Sequence, residues 1–275
     1  MGVVNVTPDS FYDGGLYFEP ARAIEQALKL IADGADIIDV GGESSRPGAA
    51  PVSAKDEKKR ILPVIEVVRE RKDILISVDT TKAEVAEAAV AEGAHIINDI
   101  SAGRFDPDIL SLASRTGAGL VLMHMKGSPR TMQSLASYDD VVAEVKSFLA
   151  GRLEAAREAG VREAGLICDP GIGFAKTLEH NLALINNIPA LAGLGRPVLV
   201  GISRKSFIGK ILDAEPEDRL AGTIAAAVVS ALNGAAILRV HDVLEVKRAL
   251  AVAEAILNQG TGGPGREARR KPYVH

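Results

Sequence analysis

The sequence predicts a single parallel (β/α)8 barrel of the TIM type, on three observations. Eight short apolar runs of buried-strand character alternate with eight stretches whose apolar residues recur at helical spacing, no change in composition marks a linker, and every apolar run ends in polar residues. An open doubly wound sheet is the competing architecture, and it would draw functional groups from two or three strands at one switch point. Here the ends carry Asn5, Asp39 with Glu43, Asp79, Asn98 with Asp99, His124, Asp169, Ser203 with Lys205, and Arg239 with His241. A closed barrel gathers all of them in one mouth.

The elements follow in order. Residues 2–6 form a short buried strand, and the turn-rich loop of Pro8, Asp9, Asp13, Gly14 and Gly15 leads to a helix opened by Pro20 and stopped by Gly34, with Ile24, Ala27, Leu28 and Ile31 on one stripe. Residues 36–42 are strand 2, followed by the loop 43–51 and a helix through Ile61, Ile65 and Val68. Residues 74–78 are strand 3, and Thr81 with Glu84 makes a capping box for the helix that carries Val85 and Ala89. Strand 4 covers 94–98, and Asp106 with Pro107 opens a short helix through Ile109, Leu110 and Ala113. Strand 5 covers 120–123, and a long loop, 124–138, leads to a helix with Val141, Val145, Phe148, Leu149 and Leu153 on one face. Strand 6, Leu166 to Cys168, ends in Asp169; Pro170, Gly171 and Gly173 continue neither strand nor helix, and Thr177 caps the helix of Leu178, Leu182 and Ile185. Strand 7 covers 198–202 and precedes one long helical region through Leu220, Ile224, Val228 and Ala231. Strand 8 covers 236–240, and Asp242 caps a last helix through Val246, Leu250, Ala253 and Leu257. The barrel thus spans 1–258, and the Gly-, Arg- and Lys-rich tail 259–275 has no apolar period and is expected to be disordered.

Bulk properties limit the function. A net charge of −4 over 275 residues leaves no polyanion footprint, which argues against nucleic acid as a partner, so any anion site must be local. The only cysteine, Cys168, precludes an internal disulfide and suits a reducing compartment; with no apolar run long enough to span a membrane, a cytoplasmic protein is expected. Two nucleotide motifs fail at strand 6. Ala175 replaces the Gly that a P-loop needs before its Lys, and Lys176 stands where a dinucleotide fingerprint needs its third Gly.

Aspartates after strands often cap the next helix, and Asp99, Asp106 and Asp242 are read that way. Asp79 and Asp169 differ, because Thr81 and Thr177 are available to cap in their place. Inward-facing carboxylates are costly unless paired, so Lys205, Arg239 or the N–H groups of a ligand must meet them. Asn98 fits a loop tie or a ligand contact equally well, and His124 is assigned to loop shape. Arg239 and His241, two residues apart, join Asn5 and the loop Ser44, Ser45, Arg46, Pro47, Gly48 as a local anion site suited to phosphate; an Arg239 pair with Asp79 or Asp169 is compatible with it. Histidine spacing offers no zinc site, whereas a magnesium ion held by phosphate oxygens and Asn5 fits.

These residues match a known family. The chain resembles the dihydropteroate synthases, pterin-binding barrel enzymes of folate biosynthesis, through MGVVNVTPDSF at 1–11, DVGGESSRPGA at 39–49, SVDTTK at 77–82, INDIS at 97–101, LMHMKGSP at 122–129, DPGIGFAKT at 169–177, VGISRKSFIG at 200–209 and RVHDV at 239–243. The resemblance implies condensation of 6-hydroxymethyl-7,8-dihydropterin pyrophosphate with 4-aminobenzoate, with Mg2+, in a homodimer. It assigns Asp79, Asn98, Asp169 and Lys205 to the pterin, and Arg239, His241, Asn5 and Ser45 to the pyrophosphate, with Arg239 also stacking on the pterin and Asn5 touching the metal. Phe11, Pro47, Phe174 and Ser206 wall the aminobenzoate pocket, and Asp13 enters on the first loop. Tyr12 stands where Ser is common and Ser45 where Thr is common, substitutions expected to shift aminobenzoate or sulfonamide affinity without changing the reaction. The chain opens inside its first strand, without the family's usual lead-in, so the barrel floor is expected to lack that cover. Three other readings compete: a methyltetrahydrofolate:corrinoid methyltransferase, which needs no pyrophosphate site; a Schiff-base aldolase using Lys205; and a non-catalytic pterin-binding barrel.

Overall fold

The computed structural model describes residues 1–7, 19–45, 48–71 and 73–259. Eight strands lie parallel: β1 (Gly2–Asn5), β2 (Ile37–Gly41), β3 (Leu75–Asp79), β4 (Ile96–Asp99), β5 (Gly119–Met123), β6 (Leu166–Asp169), β7 (Leu199–Gly201) and β8 (Ile237–Arg239). Strands β1 to β6 pair in chain order, as do β7 and β8. Two parallel bridges close the ring, Cys168 with Val198 between β6 and β7, and Gly2 with Val240 between β8 and β1. The backbone bonds Cys168 N to Pro197 O at 2.9 Å and Val3 N to Val240 O at 3.1 Å make both seams. The barrel is therefore closed, and the open-sheet alternative is set aside.

Side-chain alternation along the strands produces two layers from one sequence pattern. Val4, Val6, Ile38, Val40, Ile76, Val78, Ile97, Leu120 and Leu122 point outward into the large core shared with the helices. Met1, Ile37, Ile96, Val121, Ile167 and Leu199 form a separate buried cluster inside the barrel, with partly buried Ile237 packed against it. The next inward position on β2, β4, β6 and β8 is Asp39, Asn98, Asp169 and Arg239. One pleat thus carries the barrel interior from an apolar floor to a charged mouth.

The helices are α1 (Glu19–Ala32), α2 (Ala54–Val68), α3 (Ala83–Glu92), α4 (Asp108–Thr116), α5 (Val141–Glu158), α6 (Leu178–Asn186), α7 (Ile188–Ala192), α8 (Ser206–Leu212), α9 (Leu220–Leu232) and α10 (Val243–Asn258). The two beyond the expected eight arise from interruptions. Pro189, lacking an N–H, follows the break at Asn187 that starts α7, and Asp213, left-handed at φ 51°, ends α8 where a single long helix was expected. Thr177 caps α6 as expected: its hydroxyl accepts from His180 N at 3.3 Å while His180 Nδ1 accepts from Thr177 N at 3.2 Å.

Other cap expectations are corrected. No Thr81–Glu84 box forms, because α3 starts at Ala83 and its N–H donates to Asp106 Oδ2 at 2.7 Å, a carboxylate from the following loop. Asp106 also accepts from Asp108 N at 3.2 Å, so it serves two helix starts. Asp99 caps no helix; it accepts from Ser101 N at 2.7 Å and Gly103 N at 2.5 Å and closes its own loop. Asp242 makes no cap bond and turns to Arg204. The 260–275 part of the expected tail lies outside the described residues.

Candidate active site

The centre of the mouth is Arg239. From the end of β8 its Nε donates to Asp39 Oδ2 at 2.6 Å and its Nη2 to Asp79 Oδ2 at 2.8 Å, joining β8 to β2 and β3. Asn98 Nδ2 donates to the same Asp39 oxygen at 3.1 Å. Of the two pairings open to Arg239, the one with Asp79 is present, and Asp39 adds a second acid. Asp39 is fully buried, and its second oxygen has no partner among the described residues, nor has the neighbouring Ser77 hydroxyl. Burial works against the Arg239 cation, but Asp39 and Asp79 outweigh it and hold its pKa above the usual value. Burial, opposed by Arg239 and reinforced by the charge of Asp39, pushes the Asp79 carboxyl up to about 7.

Asp169 ends β6 on the far side of this cluster. Gly171, at φ 67°, turns the chain so that its N–H donates to Asp169 Oδ1 at 2.7 Å; a Cβ there would lie 2.0 Å from His124 O, so only glycine fits. Burial raises the Asp169 pKa, against the pull of Lys205. Lys205, between β7 and α8, reaches across and donates to Ile172 O, with its Nζ 4.8 Å from the Phe174 ring centroid. Burial lowers the Lys205 pKa to about 8, with Asp169 opposing. Behind the turn, buried Lys176 donates to Phe174 O at 2.9 Å and lies 3.0 Å from His124 Nδ1; burial lowers the lysine to about 7 and the histidine to about 3. His124 packs edge-on to Phe148.

The β7–α8 and β8–α10 loops are tied to each other. His241 lies two residues beyond the end of β8, where its backbone N–H donates to Ser203 Oγ at 3.2 Å and its Nδ1 sits 3.1 Å from the same hydroxyl. Arg204 meets Asp242 with two prongs, each 2.9 Å. Ser206 is exposed at the first position of α8, next to Lys205. Asn5 closes β1, half-buried, and pairs in register with Gly41 of β2. A cavity of about 200 Å³ opens beside Asp79, lined by Glu43, Ser44, Ser45, Thr80 and Arg130. Beneath it Lys82 bridges Glu43 and buried Glu57, joining the β2–α2 loop to α2 and α3.

Asp79, Asn98, Asp169, Lys205, Arg239, His241, Asn5, Ser45, Phe174 and Ser206 all come from the strand ends of one barrel face or the loops that follow them. Phe11, Asp13, Arg46 and Pro47 lie outside the described residues. Asp39 is the addition: it heads the DVGGES string and sits two residues past inward Ile37, a spacing that marks it as a mouth residue. Among the described residues no group of three His, Cys, Asp or Glu side chains could hold a metal. A larger cavity, about 410 Å³, is lined by Arg104, His124, Lys126 and Glu144. Its cations are already bonded, Arg104 to Ser101 O and Met125 O, Lys126 to Ser137 O and Glu144.

A family model described as "Pterin binding enzyme" matches residues 1–241. The dihydropteroate synthase of Synechocystis sp. is 48% identical over 93% of this chain and 89% of its own length, and that of Escherichia coli 47% identical over 94% and 91%. Among solved structures, Xanthomonas albilineans dihydropteroate synthase with 4-aminobenzoic acid superposes with a TM-score of 0.88, at 46% identity over 93% of this chain and 92% of that one. Its complex with 7,8-dihydropteroate gives 0.85, at 44% identity over 93% and 92%. The Yersinia pestis enzyme with a sulfonamide drug gives 0.88, at 43% identity over 94% and 93%. Motif strings, closed barrel and charged mouth thus agree with the matched sequences, and the chain belongs to the pterin-binding enzyme family.

Proposed function

We propose that this chain is a dihydropteroate synthase: it condenses 6-hydroxymethyl-7,8-dihydropterin pyrophosphate with 4-aminobenzoate, giving 7,8-dihydropteroate and pyrophosphate. One observation carries the reading: Arg239 is gripped by Asp39 and Asp79 in the same mouth that holds Asp169 and Lys205. Acids in the mouth suit the amino and ring N–H groups of a pterin, and the cation beside them suits a diphosphate.

The chemistry follows from that division. Asp169 accepts the pterin amino group and adjacent N–H side by side, Lys205 reaches the ring carbonyl, and Asp79 and Asn98 complete the ring contacts. The pterin methylene C–O bond breaks and its electron pair leaves with pyrophosphate, whose growing charge Arg239 and His241 stabilise. The carboxylate of Asp169 offsets the positive charge left on the methylene. The aminobenzoate nitrogen, already nucleophilic, donates its lone pair to form the C–N bond and then loses a proton to solvent, so no strong base is needed. Phe174, held beside Lys205, walls the aminobenzoate.

Three further assignments accompany this reading. Asn5, at the end of β1, would supply one neutral oxygen to a hard cation ligated mainly by substrate phosphate; bound Mg2+ would neutralise leaving-group charge. A second copy of the chain covers α8 to α10, where Leu212, Val229, Leu232, Val252 and Ile256 are all about half exposed or more; the light-scattering mass of Val252→Asp should fall to that of a monomer. The protein works in the cytoplasm, consistent with its buried free thiol, Cys168, and with the absence among the described residues of any helix long and apolar enough to cross a membrane.

Chromatographic detection of dihydropteroate tests the function. Product should form only when both substrates are present; pterin binding without product would indicate a non-catalytic barrel.

A further inference from the structure

Arg204 breaks a backbone rule, and Asp242 breaks a capping rule. Arg204 sits at φ 53°, a left-handed conformation that a side-chain-bearing residue adopts only when its surroundings enforce it. Asp242 precedes α10 in the position of a helix cap, yet its carboxylate caps nothing. Each explains the other. The Arg204 Nε and Nη2 donate to the two Asp242 oxygens at 2.9 Å, and its Nη1 donates to Pro216 O at 3.0 Å and Glu217 O at 2.9 Å. The strained backbone is held as well: Arg204 N donates to the buried Thr223 hydroxyl at 2.9 Å, and Arg204 O accepts from Arg219 at 3.2 Å.

The position of this knot gives it meaning. Lys205 and Ser206 follow Arg204 directly, and His241 precedes Asp242. Ser203, on the other side of Arg204, bonds His241 twice. The residue pairs 203–204 and 241–242 therefore lock two loops into one frame, with Lys205 on one and His241 on the other. We infer that Arg204 and Asp242 are positioning residues: their two-pronged pair holds the Lys205 loop and the His241 loop in a single register, so that the pterin and aminobenzoate contacts and the diphosphate contacts are set together. The inference deepens the synthase reading and rests on it for the identity of the ligands.

Glycine provides the test, because it accepts φ 53° without strain while removing the clamp. Arg204→Gly and Asp242→Asn, and the double variant, are compared with wild type in thermal melts and in steady-state kinetics for both substrates. Arg204→Gly is expected to melt within about 4 °C of wild type. Misregister of the reacting groups is expected to lower kcat/KM by about tenfold to 100-fold for the pterin diphosphate and for 4-aminobenzoate alike, with the double variant no worse than the worse single one. Wild-type constants in either single variant, a loss confined to one substrate, or losses that multiply in the double variant would overturn the inference. If Arg204→Gly does not fold, Arg204→Lys, which keeps the charge but cannot make the two-pronged bond, is judged by the same criteria. Calorimetry with inorganic pyrophosphate and 4-aminobenzoate separates the two claims: wild-type protein that lacks turnover defeats the synthase reading, whereas the clamp still requires both affinities to drop in the variants.

Discussion

Asp169→Asn isolates the carboxylate proposed to hold the pterin, with little damage elsewhere. In the structure Asp169 Oδ1 accepts from Gly171 N at 2.7 Å, and the asparagine carbonyl can keep that bond, so the turn that presents Phe174 should survive. Pterin binding is different. Two parallel charge-assisted bonds to the amino group and ring N–H contribute about 1.5–3 kcal/mol each. The amide not only lacks the charge but also points N–H at N–H. Loss of both bonds corresponds to roughly 3–6 kcal/mol, or about 10²-fold to 10⁴-fold in Kd. Calorimetric titration with 6-hydroxymethylpterin, which has no diphosphate, reads this contribution directly, and a thermal melt checks the fold. Binding within about threefold of wild type by an intact Asp169→Asn protein would refute the assignment, since the predicted change is far larger.

Other substitutions test the remaining parts. Arg239→Ala leaves Asp39 and Asp79 facing each other in a buried site, so it should cost about 3–5 kcal/mol of stability in urea unfolding as well as activity. Arg239→Lys keeps the charge but not the fork; it should fold and lose chiefly kcat and diphosphate affinity, a pattern steady-state kinetics would reveal. The raised Asp79 pKa sets a pH dependence. Ligand N–H groups favour its ionised form, so pterin affinity should fall by up to about tenfold per unit as pH drops below about 7, with proton release seen in calorimetry across buffers of different ionisation heat. The sign for stability is opposite: the folded state holds a proton that the unfolded chain has lost, so this group favours folding below pH 4 or so and that contribution is lost as pH rises through about 7. Thr177→Ala should cost about 1 kcal/mol by removing the α6 cap while leaving both Michaelis constants near wild type.

The barrel was legible because its pattern is local and repeated. Inward Ile37, Ile96, Ile167 and Ile237 each precede a mouth residue by two positions, and Thr177 announces its helix within four residues. What stayed hidden depends on partners distant in the chain. Asp242 looks like a cap in its own loop, but its partner Arg204 lies 38 residues away, and the second helix start that Asp106 serves, at Ala83, lies 23 residues back. Asp39 appeared only as one polar strand end among others, and its role emerged when Arg239, 200 residues away, was seen to grip it. The split between α8 and α9 likewise turns on a left-handed Asp213, a conformation that local composition does not announce.

Pyrophosphate release by the wild-type protein, followed with and without 4-aminobenzoate, bears most directly on the claim that acids hold a pterin while Arg239 and His241 stabilise departing pyrophosphate. The account predicts sustained release only with both substrates, one pyrophosphate for each dihydropteroate formed. No release with both present, or release at the same rate without the amine, would contradict it.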